Sequence, residues 1–198
     1  VLLEKRTSYF QLHNIIQIAM GWQNYQLYEF QHKKLNIGEP DEEFAEIGFS
    51  PGKTLDAKER MLQDDMTKER QRIAYEYDFG DGLRHRILVE KFLPRQINTQ
   101  YPICIDGALH CPPEDCGGLH GFYNMLGTLN GKPSFDRKQT LLWLGGSFDA
   151  NHFDLHAVNA TLNNLDEYIA DLYETEKCCH LLVRKVFLSL SVSIVSKM

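Results

Sequence analysis

The sequence is poor in positive charge: 21 Lys and Arg stand against 27 Asp and Glu, a net charge of -6. No global field then draws the chain toward phosphates, and tight duplex-DNA binding by the chain alone is not expected. Long apolar runs are also missing. The nearest, Leu181 to Val195, is broken by Arg184, Lys185 and serines and falls short of the roughly 18–20 residues a membrane helix needs. The first residues show no charged-then-apolar leader with a small-residue cleavage site, so a cytoplasmic location is expected. Cysteines are few and odd in number, five in all, with Cys178 and Cys179 adjacent. That pattern favours reduced thiols over a disulfide framework. A glycine-rich phosphate loop, a nucleophile elbow, an HExxH motif and a recombinase serine motif are all lacking, as are repeats and low-complexity tracts. What remains is ordinary globular composition, 43% hydrophobic and 24% charged, enough for one domain with a sizeable core.

Several elements are legible. Ser8 and Gln11 form an S/T-x-x-E/Q capping box, Leu12, Ile15, Ile16, Ala19 and Met20 make an apolar stripe, and Gly21 stands where a helix ends; together they predict a helix over 9–20. Tyr25 to Gln31 reads as a strand, with Leu35 to Ile37 as its partner. Glu39, Asp41, Glu42, Glu43 and Glu46 surround Pro40 in what reads as a solvated loop. Thr54 caps an expected helix through Leu55, Leu62 and Met66 to Arg72, with Met61 and Met66 as packing residues. Ile73 to Phe79 alternates strictly, Gly80-Asp81-Gly82 supplies a turn, and Leu83 to Phe92 returns, which predicts a hairpin over 73–92. Residues 94–120 are loop-like, punctuated by Pro102, Pro112, Pro113, Gly117 and Gly118. Helices are expected over 122–129, from the Ser134 cap to Leu144 with Gly145 as stop, and from the Asp154 cap to Leu165, with Phe153 and Val158 as a hydrophobic staple. Residues 166–198 continue as helix.

Four segments, QLHNIIQIAMGWQNYQLYEF (11–30), YEYDFGDGLRHRILVEKFLP (75–94), YPICIDGALHCPPEDCGGLHGF (101–122) and LLWLGGSFDANHFDLHAVNATL (141–162), follow one another as in the plasmid open-reading-frame-three-like proteins, named after a reading frame on a root-inducing plasmid. The chain resembles that family over about residues 1–165. The resemblance implies an α+β fold with a further strand ahead of Val1, an association with mobile DNA, and no settled activity. Relatives commonly carry a tryptophan where Leu83 stands. The expected architecture is a mixed or antiparallel sheet containing the 73–92 hairpin, packed by the N-terminal helix and the C-terminal helices. Residues 1–165 form the family domain and 166–198 a helical extension.

Three groups could carry chemistry. With Asp81-Gly82 as a two-residue loop, Asp78 stands opposite His85, about 5 Å apart at Cβ. A carboxylate fixing an imidazole suits metal or acid–base work; the plainer readings are a cross-strand ion pair or an aspartate serving the turn backbone. Cys104, Cys111 and Cys116, with His110 and His120 close by and His85 in reach, could hold zinc, although structural zinc favours tighter C-x2–4-C hooks; otherwise they are buried small hydrophobes. In Pro112-Pro113-Glu114-Asp115-Cys116-Gly117-Gly118, stiff prolines and permissive glycines aim Glu114 and Asp115 at a metal, a substrate or a helix end. The candidate cluster is thus Asp78, Asp81, His85, Asp106, Glu114 and Asp115, with the 101–121 loop expected to be ordered beside the hairpin. The tail around 181–190 is apolar enough for self-association, and Cys178-Cys179-His180 beside it is an isolated triplet. The first functional expectation is a non-catalytic binding or accessory module; the others are a metal-dependent hydrolase or nuclease using Asp78, His85, Asp106, Glu114 and Asp115, and a zinc-stabilised structural protein.

Overall fold

A computed structural model describes residues 1–40 and 54–182, with side chains of the last helix described through 174. The 9–20 expectation holds to the residue: α1 is Tyr9–Met20. The Gln11 backbone N–H donates to Ser8 Oγ at 3.1 Å and the Ser8 N–H donates to Gln11 Oε1 at 3.0 Å, closing the capping box. Gly21 ends the helix at φ 74°, a left-handed conformation that glycine adopts without a Cβ clash. The burial differs from the expected single stripe. Nine of the twelve residues are buried, His13, Asn14 and Gln17 among them, because α1 lies between two layers instead of on a surface.

One layer is a five-stranded mixed sheet of order β3-β2-β1-β4-β5. Its strands are β1 (Tyr28–His32), β2 (Leu35–Gly38), β3 (Leu55–Asp56), β4 (Arg72–Tyr77) and β5 (Leu83–Leu88). Only the β2–β3 pair is parallel. Period-two alternation sends Tyr28, Phe30, Ile37, Ile73, Tyr75, Tyr77 and Leu83 inward to pack with Leu12 and Ile16 of α1. Leu83 is 1% exposed and belongs to this core. The second layer is helical. After α3 (Gly118–Asn130) and α4 (Phe135–Trp143) come α5 (Leu155–Leu162) and α6 (Leu165–Leu182), with a single turn, α2 (Leu62–Asp65), earlier in the chain. Ile15 and Ile18 on the far side of α1 pack with Leu162, Leu165 and Cys104. The Ser134 and Asp154 caps accept from the Arg137 and Ala157 N–H groups as expected, and Phe153 and Val158 of the staple both pack on this second core.

The expected 54–72 helix is overturned. Leu55 and Asp56 pair with Ile37 and Gly38, the Ala57 N–H donates to Gly38 O at 2.8 Å, and the Phe10 N–H donates to Ala57 O at 2.9 Å. Tyr9 and Arg60, and Leu62 and Thr7, add two more such bonds. A mostly charged sequence offers a helix only a narrow buried stripe. Non-local backbone partners, with Ala57 completely buried, outweigh that local preference. Met66 is a buried packing residue, as expected. Asp41 to Glu46 and most of the 181–190 tail lie outside the described residues, as do the side chains of Cys178, Cys179 and His180. No helix among the described residues is long and apolar enough to cross a membrane.

Candidate functional site

The hairpin register differs from the expected one. Tyr77 pairs with Leu83 and Tyr75 with His85, so residues 78–82 form a five-residue loop. Asp78 sets it. Its backbone turns left-handed at φ 55°, its Oδ1 accepts from the Gly80 N–H at 2.7 Å and the Asp81 N–H at 3.2 Å, and its carbonyl accepts from the Gly82 N–H at 2.9 Å. An aspartate that satisfies the turn backbone supports a longer loop than the Asp-Gly pair alone specifies. Asp78 therefore does not stand across from His85, and the register on which the acid–imidazole pair rested is absent.

His85 points inward from β5, edge-on to Trp22 at 5.9 Å between ring centroids and tilted against Tyr75. Burial lowers its pKa to about 4, a hydrogen bond with the Tyr75 backbone opposing, so at neutral pH it is an uncharged core ring. A second histidine, missed by the sequence reading, is buried more deeply. His13 of α1 stacks on Tyr28 at 3.5 Å, with Nδ1 2.8 Å from the Tyr75 hydroxyl and Nε2 on Asn24 Oδ1. Gln17 Nε2 donates to the same hydroxyl at 3.1 Å. The amide oxygen of Asn24 only accepts, so Nε2 carries the proton and Nδ1 is bare. The order is then fixed: Gln17 N–H to Tyr75 O, Tyr75 O–H to His13 Nδ1, His13 Nε2–H to Asn24. The signal available in the sequence was the pair of polar residues at i and i+4, His13 and Gln17, beside an apolar helix stripe.

The 101–121 loop is ordered and reaches the hairpin. Glu114 is 9% exposed, and its Oε1 accepts from the Gln23 N–H at 3.0 Å. Burial pushes its pKa up; the Gln23 N–H and the Tyr77 hydroxyl pull the other way and Asp115 adds repulsion. Asp115 is raised as well, by burial first and then by Asp81 and Asp78. Gly118 packs against the turn, where an added Cβ would sit 3.2 Å from Asp81 O. At Gly121 an added Cβ would fall 1.7 Å from Cys116 O, so the loop closes on α3 only with glycine there. Neither Glu114 nor Asp115 caps α3, whose N-cap is Gly117 with no side-chain hydrogen bond.

The structure thus gathers Asp78, Asp81, Glu114 and Asp115 around the turn and leaves Asp106 elsewhere. Asp106 is exposed, holds the Gly107 N–H at 2.9 Å, and precedes a glycine set against Phe153. The three cysteines separate. Cys104 lies in the second core. Cys111 packs on the main core with Sγ 2.9 Å from Met20 Sδ. Cys116 lies near Asp81, its thiol pushed up to about 11 chiefly by burial. Among the described residues no three His, Cys, Asp or Glu side chains are grouped to hold a metal ion. Two open grooves of about 440 and 470 Å3 are lined from Lys5 and Asp64 and from Arg6, Tyr101 and Asn164, and none of the six candidate residues lines either.

Comparisons with known proteins agree with this architecture. The chain is 36% identical over 167 residues to the uncharacterized protein y4hQ of Sinorhizobium fredii, covering 82% of this chain and 77% of that protein. It superposes with a TM-score of 0.67 and 32% identity on the crystal structure of MM3350, a protein of unknown function from Methanosarcina mazei, over 78% of this chain and 84% of that one. The family described as plasmid pRiA4b ORF-3-like protein matches residues 1–157, and the chain belongs to that family.

Proposed function

We propose that the protein is a non-catalytic binding or accessory module associated with mobile DNA elements, cytoplasmic and with reduced thiols. One observation carries the non-catalytic part: one carboxylate from each of its two most unusual segments is used on its own chain. Glu114 holds Gln23 from inside the fold and Asp78 holds its own turn. A general acid has to face a substrate and a ligand a metal ion; these two acids face backbone donors and tie the loop after α1, the hairpin and the 111–118 loop together. Glu114→Ala is expected to destabilise the protein by about 1–3 kcal/mol, the loss of a part-buried hydrogen bond to a carboxylate. Glu114→Gln, which keeps an acceptor, is expected to cost less. Urea unfolding beside elemental analysis tests both: lost stability with unchanged metal content marks a structural polar network, whereas a metal lost with Glu114 or with His85→Ala overturns the reading.

A second reading, a metal-dependent hydrolase or nuclease using Asp78, His85, Glu114 and Asp115, draws on the repulsion that Asp81 and Asp78 exert on Asp115, which a cation would relieve. The same elemental analysis, with and without added divalent metal, separates it from the first.

The DNA association is expected to be indirect. With a net charge of -6, a fluorescence titration with random duplex at physiological salt should give at most the roughly 10⁻⁴–10⁻⁶ M of non-specific binding. Sub-micromolar affinity that weakens steeply with salt would establish a phosphate-contacting surface and refute this expectation.

A further inference from the structure

The helix α4 is out of balance with its surroundings. Among its nine residues none is buried, yet Phe135 is 74% exposed, Leu142 73% and Trp143 51%. A nine-residue helix is marginal by itself. This one is held to α3 by its inner residues, Arg137, Thr140, Leu141 and Leu144, which are half-buried, with Arg137 Nε donating to Leu129 O at 2.9 Å. The outer residues fall at 135, 138, 139 and 142, the i, i+3, i+4, i+7 spacing of one helix face, and all four are exposed.

From this we infer that the outer face of α4 is a homodimer contact, its occupant a second copy of α4 packed antiparallel across a two-fold axis. The order along the face reads the same from either end: apolar, polar, polar, apolar. A two-fold axis between residues 138 and 139 sets Phe135 against Leu142 of the other copy at both ends of the contact. At the centre the Lys138 ammonium donates to the side-chain oxygen of Gln139 in the other copy. Such self-complementarity is what an isologous contact requires, since each copy must present the same patch to the other. An unrelated partner would impose no such symmetry. At roughly 150–250 Å2 for a large, fully exposed side chain, the exposed parts of Phe135 and Leu142 with the stems of Lys138 and Gln139 between them amount to about 400 Å2 per copy. Two copies bury about 800 Å2, the range of weak, reversible interfaces. The dimer is therefore concentration-dependent. This contact is independent of the accessory-module reading and distinct from the apolar 181–190 tail.

Light scattering or sedimentation of the full chain over a concentration series tests the inference, expecting the average mass to rise from the 22.9 kDa of one chain toward twice that value. Phe135→Glu and Leu142→Lys, both at exposed positions, should leave the circular dichroism spectrum and melting unchanged. Each should weaken the dimer by about 100-fold or more, since each removes two buried apolar contacts per dimer. An equimolar mixture of the two variants should regain dimer, through one Glu–Lys pair and one surviving Phe–Leu contact. A monomer at all concentrations overturns the inference. So does a dimer indifferent to both variants but lost on Leu188→Glu, which would place self-association in the tail. Dimer lost in both variants and not regained on mixing overturns the antiparallel register.

Discussion

Tyr75→Phe is expected to be among the most damaging single-atom deletions in this protein. The hydroxyl it removes is the acceptor for Gln17 Nε2 and the donor to His13 Nδ1, and Tyr75, Gln17 and His13 are all at most 1% exposed. Water does not reach the groups left behind. Gln17 Oε1 is already without a hydrogen-bond partner, so the whole amide would be unsatisfied. At about 1–3 kcal/mol for each buried group left unmade, the loss comes to about 2–5 kcal/mol. At the roughly 2–4 °C per kcal/mol of a domain this size, that is a fall of about 10 °C in Tm. Tyr77→Phe is the control. Its hydroxyl accepts from the Gln26 N–H at 3.2 Å in a part-buried bond and also meets the Glu114 carboxylate, and a smaller loss of about 1–2 kcal/mol is expected. Equal, small losses for both variants would show that the His13–Tyr75–Gln17 chain does not hold α1 on the sheet. The Nε2–H tautomer of His13 is directly visible in nitrogen-15 imidazole shifts.

Acidification should unfold the protein well above the carboxylate range. The pKa of His13 falls to about 3, by burial against the opposing Asn24 hydrogen bond, and that of His85 to about 4. In the unfolded chain both titrate near 6.5. Between these values the unfolded state binds protons that the native state refuses, so stability rises with pH and is lost as pH falls from about 6.5 toward 4. Each histidine contributes a slope of about 1.4 kcal/mol per pH unit, and the two together about 2.7 kcal/mol per unit below pH 6. Protonating His13 also places a hydrogen on Nδ1 facing the Tyr75 O–H, which has no other acceptor in the chain described above. Glu114 acts oppositely, since burial raises its pKa, but only in the carboxylate range. Urea midpoints at pH 7, 6, 5 and 4.5 measure the slope. Against a typical total of about 5–15 kcal/mol, a curve flat from pH 7 to 5 would mean that these rings are solvated.

What could be read along the chain was whatever a short window settles. The α1 boundaries, the Ser134 and Asp154 caps, the β1–β2 pair and the α+β class all follow from side chains acting on backbone within a few residues, or from a hydrophobic period. The family segments were legible for a different reason, since YDFGDG and CPPEDCGG are specific strings. Tertiary structure decided the rest. Residues 54–72 gave up a continuous helix, keeping only the single turn α2, because β2 and the entry to α1 offered backbone partners far away in sequence. The hairpin register shifted because Asp78 took the turn amides, and a shift in loop length changes every cross-strand partner. Likewise, that Glu114 meets Gln23 across 91 residues, and His13 meets Tyr75 across 62, has no trace in either local segment. A buried polar group is stable only where the fold brings it a partner, and which partner that is becomes determined only when sheet, helix and loop have closed on one another.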